Sequence, residues 1–545
     1  MEFDKKYYET DVLVLGSGAS GCGAAIAARR AGADVLMVDK GRLESSGNLG
    51  GGNDHFMAVL DVDEHDGYED LADYWATPVT GMTRGVVRNL YESMKPCISI
   101  LEEAGLEFKH NPDGSYMRSV GFGQPGAWWI HIDHGFTVKP KLAKYIRKMG
   151  VKVVDNVQVL ALLKDGDRIA GCLGWNVKNG DFVVIRCKTA VLCFGLVSER
   201  VSNNSTHKPF NVWYSPYVTG SQQVLALEAG ASVNAMETSD MCTMLPKGWG
   251  APGMNGINNM GGRELNAKGE RFMGKYDPMW ENGLRVHQVM GTYNEMLEGS
   301  GPPFVMDMTH FSAEDARHLQ YDLMPGDKET YLDYCRARNI DFTKAPLEVE
   351  IGERLIGGLV ACSDEQETDV RNLYTSSLLG NFSGAMCLGY SAGRFAAARA
   401  AETSMPAIDQ AEVDSWFSTL YDPLIRPCAR PVSYTTFEDG LRQVMDYYVG
   451  FQRTEGSMLR ALESMKVLEE YLPRLGASDF RELMRVHESR ELFKLCRVYI
   501  QACLQRKESG RTMYRRADYP DLDPSLNRPL ATSLAADGAV EFAWK

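Results

Sequence analysis

A chain of 545 residues that is 44% hydrophobic and 24% charged has the make-up of a globular protein, with length enough for two to four domains and large cores. Its formal net charge of −14, with no long basic run, argues against a surface for nucleic acid or anionic membrane. No apolar stretch approaches a membrane span, so direct membrane insertion is excluded, and MEFDKKYYETDV carries neither a secretion core nor a twin-arginine segment, which points to a cytoplasmic protein.

The chain opens on a short aliphatic run, residues 12–15, with the composition of a buried parallel strand. Gly16, Gly18 and Gly21 follow as G-x-G-x-x-G, then an Ala-rich helix over 23–31, a Gly32 stop, and a second apolar run, 35–38, that ends on Asp39. In this order each part has a mechanical task. Gly16 makes the tight turn, Gly18 lets a pyrophosphate approach the backbone, and Gly21 lets helix and strand pack closely. The helix N-terminus offers free N–H groups and its dipole to phosphate, and Asp39 is placed to accept ribose hydroxyls. The stretch predicts a dinucleotide site.

Lys40 and the Gly-rich loop 44–54 come next, and so many glycines let backbone lie against a flat ring or a pyrophosphate. Residues 88–104 read as a helix, 139–148 as a basic helix, and 151–163 return to strand alternation. Two hairpin strands, 168–175 and 181–187, flank an Asn179-Gly180 turn, and 189–194 reads as a further buried strand ending at Gly195. From about Met236 to Glu350 the character shifts to Gly- and Met-rich loops with helices, an inserted domain. Strand character resumes at 355–362 and 373–375 before a helix over 384–400, and the tail from Val413 is mostly helical, closing in an extended Pro- and Asp-containing segment. The twelve cysteines are scattered without a C-x-x-C, so neither zinc nor an iron–sulfur cluster fits their spacing and no metal site is expected. Any cluster must come from a partner.

Several separated segments share one likeness. GRELNAKGERFMGKYDPM (262–279) and QRKESGRTMYRRADYPDLD (505–523) resemble segments of the fumarate reductase and succinate dehydrogenase flavoprotein superfamily, although Ser-Gly-Arg stands where that family has Ser-Arg-Gly. The closer likeness within it is to the alpha subunit of adenylylsulfate reductase, carried by VDKGRLESSGNLGGG, DHGFTVKP, the Trp213-Tyr214 pair with TGSQQVLALEAGASV, and SAGRFAAARAA. The resemblance implies an α/β fold: a Rossmann-like FAD-binding domain in two pieces (1–235 and 351–405), an inserted α+β capping domain (236–350) and a C-terminal helical domain (406–545). It implies FAD contacts at Gly16, Gly18, Ala19, Ser20, Gly21, Asp39, Lys40, Ser45, Ser46, Gly47, Gly51, Gly52, Val159, Gly195 and Ser391. Members with covalent flavin carry a histidine in the loop that here reads Ser46-Gly47-Asn48, so the FAD is expected to be non-covalent. The family's Ala-Gly-acid at the flavin's sugar chain is Ser376-Ser377-Leu378 here.

Fumarate reductases hold a dicarboxylate with two histidines and an arginine and protonate carbon with a second arginine. Arg285 falls where the resemblance puts that proton-donating arginine; the other positions read Cys242, Glu353, Cys387 and Ser383. Without those cations a dicarboxylate loses the charge-assisted bonds that would hold it. Trp213 matches an aromatic of the adenylylsulfate reductase cleft, whose arginine and histidine have no counterpart; Lys247 is the candidate replacement cation. What remains is a set of aromatics (Trp128, Trp129, Trp213, Tyr214, Trp249) suited to an uncharged planar or alkene-bearing substrate, with Glu353, Arg354, His134 and Arg285 as acid–base candidates. The reaction expected is hydride transfer between flavin N5 and a small organic substrate, reducing an activated C=C bond with electrons from a ferredoxin-like iron–sulfur subunit, in an oligomer of anaerobic type. Alternatives are adenylylsulfate reductase-like activity, a non-catalytic electron-relay subunit, or an oxidase.

Overall fold

The computed structural model describes residues 3–545 apart from 122, 197, 213, 241–243, 250–254, 321–328, 353–354 and 512–513. Its first strand, β1 (Lys5–Leu15), leads through the glycine turn into helix α1 (Ala19–Arg30) and back into β2 (Val35–Asp39). Val12, Leu13, Val14 and Leu15 are all fully buried because helices cover both faces of the sheet there. β2 pairs parallel to β1 with Val12 opposite Val35, and on the other side β1 runs parallel to a later strand with Val12 opposite Thr189. Between them in the chain come β3 (His55–Met57), β4 (Trp129–Asp133), helix α2 (Val138–Lys148), β5 (Lys152–Asp155) and three long antiparallel strands, β6 (Val157–Asp165), β7 (Arg168–Asn176) and β8 (Phe182–Leu192). The sheet order is β5-β2-β1-β8-β7-β6, with Leu373–Thr375 also paired to β8. β8 differs from expectation. The hairpin strand and the buried strand after it are one element, since residues 187–189 contain no turn former and β1 pairs with it from Phe182 to Leu192.

A second core lies in the stretch after this sheet. β9 (Met244–Pro246), β10 (Arg263–Leu265), helix α3 (Arg285–Leu297), β11 (Phe304–Asp307) and β12 (Leu347–Ile351) build a sheet of order β9-β12-β11-β10 around Phe272, Met273, Phe304, Met306 and Leu347. α3 rests on this sheet through a fully buried carboxyl: Glu264 accepts hydrogen bonds from Thr292 at 2.7 Å and Gln288 at 3.2 Å. Burial pushes Glu264 up to about 7 against those bonds, with nearby Glu281 adding to the rise. A carboxyl raised above its unfolded value of 4.5 holds its proton in the folded state, so its contribution is complete below pH 4.5 and is lost as pH rises through 7. Glu264→Gln is therefore expected to stabilise the protein at pH 8 by up to about 3 kcal/mol and to leave it unchanged at pH 4.5, as read by thermal melts at both.

After Leu373–Thr375 (β13) the chain enters helix α4 (Phe382–Glu402), which lies directly on α1. The remainder is mostly helical, including α5 (Tyr434–Tyr448) and the long α6 (Phe480–Gln505), whose N-cap Asp479 accepts from the Glu482 amide at 2.8 Å. The tail expected to be merely extended forms a hairpin, β14 (Leu530–Leu534) with β15 (Val540–Trp544), turned at Asp537-Gly538. β14 pairs with Val233–Asn234, so the C-terminus closes onto the first half of the chain. No described helix is long and apolar enough to cross a membrane.

Candidate active site: a dinucleotide cradle continuous with a reaction cleft

At the end of β1 the backbone turns at Gly16 with φ +105°, where a Cβ would meet the Cys193 carbonyl oxygen at 2.4 Å. Helix α1 then starts at Gly18 with no side chain capping its first N–H groups and no acid in its first turn. Uncapped amides with the positive end of the helix dipole make an anion site. Asp39 at the end of β2 accepts from the Ser17 amide at 2.7 Å and the Gly41 amide at 2.6 Å, so one carboxylate ties the glycine turn to the next loop. That loop comes back over the turn: a Cβ on Gly47 would meet Gly18 Cα at 2.9 Å, whereas one on Gly51 meets nothing within 4 Å. Close backbone on one side and open space on the other is the form of a cradle for a pyrophosphate and a flat ring system. The residues present fit FAD.

The cradle is one end of a cavity of about 1590 Å³, well above the roughly 300–1,000 Å³ of an ordinary ligand pocket. Gly16, Gly18, Ala19, Ser20, Asp39, Lys40, Ser45, Ser46, Gly47, Gly51, Gly52, Val159 and Gly195 line it, as do Tyr214 and Arg285. Three expected residues do not. Gly21 packs inward, where a Cβ would lie 1.9 Å from the Gly16 carbonyl oxygen, so its task is helix-on-turn packing. Ser391 sits in the middle of α4, far from the helix end, with its hydroxyl bonded to Gln366 and to the Leu388 carbonyl. His134 takes a left-handed conformation at φ 52° and pairs with Asp133 at 3.0 Å with its side chain 66% exposed, away from the lining. Trp213, Glu353, Arg354 and Cys242 lie outside the described residues. Of the other aromatics expected in the pocket, Trp129 lines it. Trp128 is instead fully buried with its indole N–H on the His65 carbonyl, and Trp249 packs against Tyr334 in the second core. Lys247 is paired on the surface with Glu348.

Beyond the cradle the lining comes from β3, β4, the segment around Tyr74 and the start of α3. Arg285 is the first residue of α3, and the turn before it is fixed by Asp277, which accepts from His287 at 2.7 Å and from the Met279 and Leu284 amides. Burial acts to raise the Asp277 carboxyl, but those bonds outweigh it and hold it below its usual range. Tyr74 faces the same space, and burial pushes its phenol up to about 12, with the Arg285 charge working in the opposite direction. The phenol therefore keeps its proton at neutral pH. Gln124 is 2% exposed and lines the cavity with its Oε1 unbonded among the described atoms.

β3 and β4 add two groups: His55, which the sequence suggests is an ordinary surface or core histidine, and His131, which the sequence does not single out. They pair antiparallel with His55 opposite His131. His55 Nδ1 lies 2.5 Å from the buried Asp54 carboxylate, and its ring meets Trp129 edge-on at 4.4 Å. His131 sits deeper, its Nε2 on the Ser119 hydroxyl at 3.1 Å. Burial, reinforced by neighbouring His55 and opposed by Asp54, pushes His131 down to about 4, so it is neutral. The signal for it lies in period 2: in Trp129-Ile130-His131 the tryptophan and the histidine share a strand face. A three-residue strand at His55–Met57, by contrast, has too few residues to show any period.

Comparison with known proteins agrees with this geometry. The FAD binding domain family matches residues 11–414, and the fumarate reductase flavoprotein C-terminal family matches residues 438–541. One of the subunits of the fumarate reductase (CoM/CoB) of Methanothermobacter marburgensis is 25% identical over 97% of this chain and 97% of its own length. The L-aspartate oxidase of Vibrio cholerae is 24% identical over 96% of this chain and 97% of its own. The structure of adenylylsulfate reductase from Archaeoglobus fulgidus shares the fold, with a TM-score of 0.87 at 22% identity, covering 100% of this chain and 96% of that one. With a glycine turn, an uncapped helix start and a matching family over most of its length, the chain belongs to the FAD-dependent oxidoreductases of the fumarate reductase-like flavoprotein superfamily, and FAD is its cofactor.

Proposed function

We propose that this flavoprotein reduces a C=C bond conjugated to a carbonyl in a small, weakly charged organic substrate, with electrons delivered by a separate ferredoxin-like iron–sulfur protein. FAD supplies hydride chemistry at its N5. The observation that carries the reading is the meeting of Tyr74 and Arg285 in one lobe of the cavity. A phenol that keeps its proton donates a hydrogen bond to the substrate carbonyl oxygen, and the guanidinium stabilises the negative charge that grows there as the alkene is reduced. Trp129 gives a planar acyl group an aromatic wall. A dicarboxylate is disfavoured because two of the positions at which the family carries its clamp are Cys387, fully buried, and Ser383, bonded to the Met57 amide, and neither lines the cavity. FAD is held without a covalent link, since the loop against the glycine turn is Ser46-Gly47-Asn48. The capping segment 236–350, which carries Arg285, covers the substrate lobe in this reading.

The test is anaerobic photoreduction of the purified holoprotein followed by mixing with a simple enone, an enoyl thioester and an aryl acrylate. Reoxidation of the flavin by one of them, slowed about a hundredfold in Arg285→Ala, is expected. A reduced flavin that passes electrons only to an iron–sulfur protein would overturn the proposal in favour of an electron-relay role.

A further inference from the structure

Reducing a conjugated alkene takes two deliveries: a hydride to one carbon and a proton to its neighbour. With Tyr74 and Arg285 engaged on the carbonyl oxygen, the proton-donating part that the resemblance gives Arg285 falls to another group. The cavity wall on β3 holds a group with the right chemistry. His55 lines the cavity with 29% of its side chain exposed, enough to exchange protons with water. Asp54 is 6% exposed and takes the Nδ1 hydrogen at 2.5 Å. That bond orients the ring and leaves Nε2 for a substrate. Trp129, edge-on at 4.4 Å, sets the ring plane, and the antiparallel register of β3 with β4 fixes the backbone beneath it. A buried carboxylate, a partly exposed imidazole and a wall to orient it form a complete acid–base unit.

Resting on the reading above, we propose that His55, oriented by Asp54, is the proton donor of the reduction. In balanced form, the β-carbon takes a hydride, which reduced FAD held by the glycine turn and the Gly47 loop would supply. The π electrons of the C=C bond move toward the carbonyl oxygen as an enolate held by Arg285 and Tyr74. The α-carbon then takes the proton from His55 Nε2, leaving a neutral imidazole. The alkene is reduced by the two electrons of the hydride, which would leave FAD oxidised, and His55 regains its proton from water. Among the described residues, Asp54 bonds His55 from the adjoining position and His131 lies opposite it across the sheet, with Lys109 and His318 acting on His131. His131 is neutral and bonded to Ser119, so it does not compete for the role.

Two measurements test this. In flavin-free protein labelled with ¹⁵N-histidine, the Nδ1 proton of His55 is expected as a downfield resonance that is missing from both His55→Gln and Asp54→Asn. Its absence from the parent protein would overturn the pair. In the photoreduced holoprotein, His55→Gln is expected to slow reoxidation by the accepted alkene at least a hundredfold and to change the pH profile of the rate. Asp54→Asn should give a smaller loss with an altered pH profile. Flavin content and melting temperature identify variants that bind FAD and fold, and His55→Ala serves if the glutamine does not. If the parent protein reacts and His55→Gln keeps its rate and pH profile, the inference fails alone. If no activated alkene reoxidises the parent, the functional reading on which it rests fails first.

Discussion

Replacing Gly389 by valine is expected to destabilise the protein by about 4 kcal/mol or more and to empty it of FAD. Overpacking a well-filled interior costs about 1–3 kcal/mol where neighbours can give way, and more where they cannot. Here they cannot. A Cβ on Gly389 would lie 2.0 Å from the carbonyl oxygen of Ser20, and the same contact recurs at Gly393, 2.2 Å from the Ala24 oxygen, and in reverse at Gly23, 2.1 Å from the Met386 oxygen. Helices α1 and α4 thus meet backbone to backbone along a stripe of glycines, and only a displacement of α1 as a body makes room. That body carries the uncapped amides at Gly18 that would hold a pyrophosphate, so the packing defect is expected to reach the cofactor cradle. Flavin absorbance of the purified variant and its melting temperature together read the effect. Gly51→Ala supplies the contrast. A methyl there meets no protein atom within 4 Å, so the fold should stand while the methyl intrudes on the cavity. Normal flavin content in Gly389→Val would show that the helix pair yields locally.

The same stripe explains how far the sequence alone can be read. The strand–turn–helix–strand at the N-terminus is legible because each step is local: an aliphatic run, three glycines at fixed spacing, a helix and an acid. The glycines of α4 are equally visible in the chain, but their purpose depends on which helix they face, and that is a tertiary fact. The aromatic pocket is only half legible for a similar reason. Trp128 and Trp129 are neighbours in the chain and point to opposite faces, one into the core and one into the cavity, and composition does not say which. His134 stands in a segment resembling a known family and so invites a role, yet its left-handed backbone swings it into solvent. His55 stands beside the glycine-rich loop and reads in the chain as an ordinary surface or core histidine, because the carboxylate that gives it a role adjoins it as an unremarkable Asp54. The C-terminal hairpin is equally hard to see, because its second strand is half exposed and its first pairs with a two-residue strand about three hundred residues earlier.

Replacing Arg200 by methionine is expected to cost about 3–5 kcal/mol, the loss seen when one partner of a buried ion pair is removed. Arg200 is fully buried between two carboxylates on different helices: Glu438 of α5 at 2.9 Å and Glu488 of α6 at 2.8 Å. Glu488 also takes Arg485 at 2.5 Å and Lys40, which lines the large cavity, at 2.6 Å. One carboxylate thus joins the end of β2 to the long C-terminal helix. Burial acts to raise Glu488, but the charges of Lys40, Arg200 and Arg485 outweigh it and bring it down to about 2. A carboxyl depressed in this way adds stability that is complete above its unfolded value of 4.5 and is lost as pH falls through 2, so the junction should loosen in acid. Without Arg200, Glu488 keeps two cations, whereas Glu438 keeps Arg442 at the longer distance of 3.5 Å. Glu438 is then the group left most exposed to the cost of burial, and Arg200→Met with Glu438→Gln should recover part of the loss although it removes a second charge. Melts followed by flavin release, with the double variant compared against both single ones, measure that coupling. Equal additive losses would mean that the two helices are held together by their apolar faces, with the ion network merely tolerated inside.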